Sequence, residues 1–243
     1  MKDNGKGAGN MHLSKKNRIK MLKEVYELKT NLQKQGIRGI ALDIDETLSF
    51  TLKNWFARIA KRFGNPENLP IEALIKKYRY IQNVPYWHTP EIFDWVVANV
   101  YDDKLQEELE VIGEANKYVP QLHKTKNVVA YISNRPIEVA KGTKTWLIKH
   151  GFPQAPLILR PSYIHYTMSH QWKAAVLDYL YPEIEAYVDD NFEVLEYLPD
   201  TYQGHIFLYD LKQYDHKLAN VHACSDWPAV VAHVKNIFNK NTK

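Results

Sequence analysis

Five short apolar runs, at residues 37–42, 128–132, 157–159, 186–188 and 206–209, are separated by segments whose apolar residues recur at helical spacing. Strands that alternate with helices connect by right-handed crossovers, which build a mostly parallel sheet with helices on both faces. The runs are continuously apolar rather than alternating, as strands buried on two sides require. Pro136 opens one connecting helix, and Gly151 follows its end at His150. Residues 169–181 carry Trp172, Val176, Tyr179 and Leu180 on one side, and residues 226–238 carry Val230, Val231, Val234, Ile237 and Phe238. A chain of 243 residues holds one such Rossmann-like α/β domain with room for an insert.

Residues 51–119 break the rhythm, because no strand pattern occurs there. Leu52–Phe63 reads as a helix with Trp55, Phe56, Ile59, Ala60 and Phe63 on one side. Residues 71–82 form a second helix, and Thr89-Pro90 opens a third through Val100. A fourth begins at Asp102 or Asp103 and carries Leu105, Leu109, Ile112 and Tyr118. The expected organisation is a tail and helix over residues 1–36, a core of residues 37–50 and 120–243, and a helical insert over 51–119.

The positive charge is local. Residues 1–36 hold nine lysines and arginines against three acids, whereas the remainder has two more acids than bases, so the net +4 belongs to an N-terminal arm. Gly5, Gly7 and Gly9 mark a flexible start, and Ser14 can cap a helix with Ile19, Leu22, Val25, Tyr26 and Leu32 along one stripe. Such a stripe points to docking on the domain, with the lysines facing solvent, more than to a nucleic-acid arm. The single cysteine, Cys224, excludes an internal disulfide and fits a reducing cytoplasm. No apolar run reaches membrane-spanning length, the basic start lacks the apolar stretch of a secretory signal, and no Gly-rich phosphate loop occurs. The ten histidines show no compact metal-ligand spacing with Cys224.

Chemistry-bearing residues collect where a parallel sheet places its ligands, beyond the carboxyl ends of the strands. The first run ends in Asp43-Ile44-Asp45-Glu46-Thr47, the second in Ser133-Asn134-Arg135, and the fourth in Asp189-Asp190-Asn191; Lys173 opens the helix leading into the fourth. Asp43 and Asp45 stand two apart, so on extended backbone they point the same way. Like charges so placed require a cation or a shared proton, and hard carboxylate oxygens suit Mg²⁺. Each element alone can be read as a helix cap, a surface lysine or an ordinary loop. Their conjunction in this order is what points to a site.

In these residues the chain resembles the haloacid dehalogenase superfamily of phosphohydrolases. Residues 42–48 carry its first motif, Ser133 the second, Lys173 the third, and Asp189-Asp190 the fourth. The resemblance implies Asp43 as nucleophile forming an aspartyl-phosphate and Asp45 as general acid and base. Thr47 would steady Asp45, while Ser133 with Asn134 and Lys173 hold the phosphoryl group. Mg²⁺ would sit on Asp43, the Asp45 carbonyl and Asp189, with either Asp190 or Glu193 as a further acid. Asp45 itself resembles the phosphatases and phosphomutases of the superfamily rather than its dehalogenases.

The insert has the position of the superfamily's helical cap, which implies a small phosphorylated metabolite, a nucleotide among the candidates. Trp55, Tyr86, Trp87 and Arg135 are candidate substrate contacts, although the aromatic residues can equally wedge helices together and Arg135 can pair with an acid. A phosphotransferase or phosphomutase on the same scaffold is the near rival. A non-catalytic nucleic-acid module using the basic arm is the distant one.

Overall fold

The computed structural model describes residues 15–215, 218 and 220–238, with side chains from residue 23 onward. The central strand, β1 (Gly39–Leu42), is buried along its whole length, because it has a parallel neighbour on each edge and helices over each face. Its neighbours are β2 (Val128–Pro136) and β4 (Ile184–Asp189). β3 (Leu157–Arg160) flanks β2, while β5 (His205–Tyr209) and β6 (Val221–Cys224) continue beyond β4. All pairs are parallel, in the order β3-β2-β1-β4-β5-β6. The chain moves outward one way from β1, then returns to build the other half from β4. A crevice therefore opens at the carboxyl ends of β1 and β4, where the order reverses.

Period-two alternation divides the apolar side chains between two cores. Ile40, Leu42, Val188 and Phe207 face one side, where they meet α6 (Ala115–Thr125), α7 (Ala140–Lys149) and α9 (Trp227–Phe238). Ala41, Ile132, Tyr187 and Ile206 face the other, against α1 (Lys15–Gln35) and α8 (Ser169–Leu180). On α1 the docked stripe is Val25, Leu28 and Leu32, at helical spacing. Tyr26, expected on it, lies one residue round the helix from Val25 and is 58% exposed. Lys29 anchors the helix, its ammonium donating to the carbonyls of Tyr179 and Tyr181 and lying 3.4 Å from Glu183. Ser14 and the residues before it lie outside the described residues, as do the side chains of Ile19 and Leu22.

Between β1 and β2 come α2 (Thr51–Phe63), α3 (Ile71–Tyr78), α4 (Pro90–Asn99) and α5 (Asp103–Glu107), followed by α6. Thr89 caps α4 by accepting the Ile92 N–H at 3.3 Å, with Pro90 in the first turn. A separate apolar cluster of Phe56, Ile59, Leu74, Val84, Trp87 and Ile92 holds α2, α3 and α4 together.

Several elements differ from the pattern in the sequence: the helix expected over residues 71–82 stops at Tyr78, and Pro136 ends β2 rather than opening α7. The fourth helix of the insert is broken into α5 and α6. Its middle is drawn out to meet the first motif, with Phe50 N–H on the Glu110 carbonyl and Ile112 N–H on the Leu48 carbonyl, each at 2.9 Å. Gly113 then turns with φ +49, and a Cβ there would lie 2.5 Å from the Tyr209 hydroxyl. β6 has no counterpart among the five runs. It is an edge strand in which only Cys224 is fully buried, so it needs no apolar run.

Candidate active site

Asp43 follows β1 directly, its N–H on the Val188 carbonyl of β4 at 2.9 Å. The chain then folds tightly: Glu46 takes φ 54, and the Leu48 and Ser49 N–H groups return to the Ile44 carbonyl. Ile44 points into the core, while Asp43 and Asp45 both line a cleft of about 350 Å³. Both carboxylates, two apart just beyond β1, thus reach one cleft.

Lys173, one turn into α8, is 2% exposed. Its ammonium bridges two strand ends, 3.0 Å from Asp43 Oδ1 and 2.9 Å from Asp189 Oδ2. Burial disfavours its charge, but Asp189 and Asp43 more than offset this and hold it protonated. One cation does not neutralise the group. Burial, with Asp189 and Asp45 adding to it against Lys173, pushes Asp43 up to about 7. Asp190 is raised well above the usual carboxylate range by burial and by Asp189 and Asp43. Burial also lifts Glu46 to about 7.

Oxygens of Asp43, Asp189 and Asp190 lie within 4.8 Å of one another. Three hard oxygen donors with surplus negative charge fit a magnesium ion. Of the two acids expected to complete such a set, the structure brings Asp190 to the group. Glu193 instead faces His170 at 3.4 Å and is 46% exposed. The loop is shaped by Asn191 N–H on Asp189 Oδ1 and Asp190 N–H on Thr47 Oγ1, both 3.1 Å.

The Asp45 carboxylate is not in that set. Arg135 donates to its Oδ1 from Nε at 2.9 Å and from Nη2 at 2.7 Å, and the Thr51 hydroxyl donates at 2.5 Å. Burial alone would raise Asp45, but Arg135 and the Thr51 hydrogen bond hold it below the usual range. Arg135 is itself 4% exposed and also donates to Ser49 and Thr143. It therefore stands behind Asp45 and does not reach the cleft as a substrate contact.

Thr47, expected to steady Asp45, is fully buried and ties the first motif to the Asp190 backbone; Thr51 takes the position at Asp45. Ser133 is fully buried, with its Oγ accepting the Arg135 N–H at 3.3 Å, and Asn134 is the β2 residue in the cleft wall. The three aromatic candidates are absorbed by packing. Trp55 lies edge-on to Trp95 at 6.0 Å, and Trp87 contacts Phe56 at 5.3 Å and Tyr86 at 5.7 Å. None of them lines the cleft.

The cleft also contains Tyr80, Arg160, Tyr166 and His170, which no motif marked. Two polar atoms at its wall, Asn134 Oδ1 and His170 Nδ1, have no hydrogen-bond partner among the described residues. No helix among the described residues is long and apolar enough to cross a membrane.

The fold is shared with solved structures of haloacid dehalogenase superfamily hydrolases. A HAD-superfamily hydrolase, subfamily IA, from Geobacter sulfurreducens superposes with a TM-score of 0.52 at 14% identity, covering 82% of this chain and 96% of that one. A dehalogenase superposes with a TM-score of 0.51, also at 14% identity, covering 81% and 96%. Neither a protein-family model nor a curated protein matches the sequence.

Proposed function

We propose that this protein is a Mg²⁺-dependent phosphatase that hydrolyses small phosphomonoesters through an aspartyl-phosphate on Asp43. The observation that carries this reading is the placement of Asp43: buried, bonded to Lys173 and grouped with Asp189 and Asp190 at the floor of a cleft. A carboxylate can approach a dianionic phosphate only where cations cancel the repulsion. Asp43, Asp189 and Asp190 hold Mg²⁺ in this reading, and what the ion supplies when bound is that cancellation.

An Asp43 oxygen attacks phosphorus as the ester P–O bond breaks, and the leaving oxygen takes a proton from Asp45. Water then attacks the aspartyl-phosphate, giving its proton to Asp45 and restoring Asp43. Arg135 lowers Asp45, which favours the ionised form that the base of the second half needs. An approaching dianion raises Asp45 and so favours the protonated form that the first half needs. Asp45 supports phosphoryl transfer over carbon–halogen cleavage, which has no leaving oxygen to protonate.

The helices over residues 51–119 act as a cap in this reading, and Tyr80 reaches the cleft from them. The cleft's volume lies at the small end of ligand sites, which suits a substrate of few atoms. A nucleotide loses the residues that prompted it, since Tyr86 and Trp87 pack within the insert.

The test is release of inorganic phosphate from p-nitrophenyl phosphate with and without Mg²⁺. The reading requires turnover that depends on the metal and falls at least about a thousandfold in Asp43→Asn. Undiminished turnover in that variant would remove Asp43 as nucleophile. Loss of ester without free phosphate would point to a phosphotransferase.

A further inference from the structure

Three cations stand at or behind the cleft, and two of them are committed. Lys173 bridges Asp43 and Asp189, and Arg135 is paired with Asp45. The third, Arg160 at the end of β3, makes no ion pair among the described residues. Its Nε donates to the Asn134 carbonyl at 3.1 Å, and its Nη1 donates to the Ile164 carbonyl. Two neutral acceptors hold Arg160 at the cleft wall, and the acid that acts on it, Glu138, makes no ion pair with it. A half-buried cation without a direct ion-pair partner keeps donors for an anion that arrives.

Its position decides which anion. β3 is separated from β1 by β2, so Arg160 is two strand spacings, about 10 Å, from the strand that delivers Asp43. Asp43 and Arg160 line the same cleft of about 350 Å³, so one small molecule can meet both.

We propose that Arg160 binds a second oxyanion of the substrate, so that the preferred esters are short organic phosphates bearing a carboxylate or another phosphate. This rests on the phosphatase reading and narrows it. The guanidinium fork matches either group in two-point geometry. A charge-assisted hydrogen bond of this kind corresponds to roughly a ten- to hundredfold preference.

The experiment compares kcat/KM for glycerol 3-phosphate, 3-phosphoglycerate and glycerol 1,3-bisphosphate. The expected result is a preference of at least about tenfold, expressed in KM, for one or both dianionic-plus esters over glycerol 3-phosphate. The better of the two identifies the second group as carboxylate or phosphate. Arg160→Gln should bring the ratio close to one, and Arg160→Lys should retain part of it. Equal use of all three esters overturns the proposal. So does a ratio that survives Arg160→Gln in a protein with an unchanged thermal midpoint.

If Arg160→Gln does not fold, inhibition of the unaltered protein decides. 3-Phosphonopropionate should then inhibit p-nitrophenyl phosphate turnover about tenfold more strongly than propylphosphonate, and propane-1,3-bisphosphonate serves as the phosphate-like arm. Equal inhibition by all three overturns the proposal. No turnover of any ester, p-nitrophenyl phosphate included, overturns the phosphatase reading and this proposal with it. Turnover without a charge preference overturns this proposal alone.

Discussion

Arg135 donates two hydrogen bonds to a single oxygen of Asp45, although the two residues lie 90 positions apart in the chain. The guanidinium is buried, and its remaining donors reach Ser49 and Thr143, so the arrangement fixes the rotamer of Asp45 as well as its charge.

Arg135→Ala should therefore affect stability and turnover together. Removing one partner of a largely buried pair costs on the order of 3 kcal/mol, measurable by urea unfolding. Turnover of alkyl phosphates should fall further than that of p-nitrophenyl phosphate, whose leaving group needs no acid. Arg135→Lys should not rescue either property, because one ammonium cannot span Asp45, Ser49 and Thr143. Equal losses on both esters would argue that Arg135 supports only the fold.

Lys173→Met leaves Asp43 and Asp189 facing each other without their shared cation. We expect inactivation and a stability loss on the order of 3–5 kcal/mol in metal-free buffer. Mg²⁺ should return part of that stability, since binding to the folded state alone raises the unfolding midpoint. Thermal melts with EDTA and with millimolar Mg²⁺ measure both. A midpoint in the variant that ignores Mg²⁺ would count against a metal at these carboxylates.

Trp87 is 4% exposed, and its Nε1 donates to the Gly64 carbonyl at 3.1 Å. Trp87→Ala should cost about 3–5 kcal/mol by opening the cluster that joins α2, α3 and α4. KM should stay the same in the fraction that remains folded. A selective rise in KM at unchanged stability would restore Trp87 as a substrate contact.

Acid sensitivity should come from the edge of the sheet. His222 Nε2 faces His205 Nδ1 at 3.0 Å; burial, then His205 and His233, push His222 down to about 4. Between about pH 6.5 and 4 the unfolded chain takes up a proton here that the folded chain refuses. Stability therefore falls as pH drops through that window, and this contribution levels off below about 4. His222→Asn should flatten the decline when urea midpoints are plotted against pH.

The alternation of strands and helices, the interruption after the first strand, and the acids and lysine at the strand ends are legible in the chain. These are local properties: apolar periodicity depends on neighbours a few positions away, and a residue that follows a buried strand must emerge at its carboxyl end. A separation of two just after a buried strand also pointed to Asp43 and Asp45 on one side, and both line the cleft.

Which groups those residues meet depends on how the chain packs in three dimensions. Arg135 turned to Asp45, Thr51 replaced Thr47 there, Asp190 rather than Glu193 joined the acid group, and Ser133 was buried behind Asn134. Trp55, Tyr86 and Trp87 went into packing, while Arg160 came to the cleft without an ion pair among the described residues. Each outcome is a competition among partners distant in sequence, decided by burial, charge and donor geometry at one point in space. A one-dimensional pattern carries the residue types for that competition but not the distances that settle it.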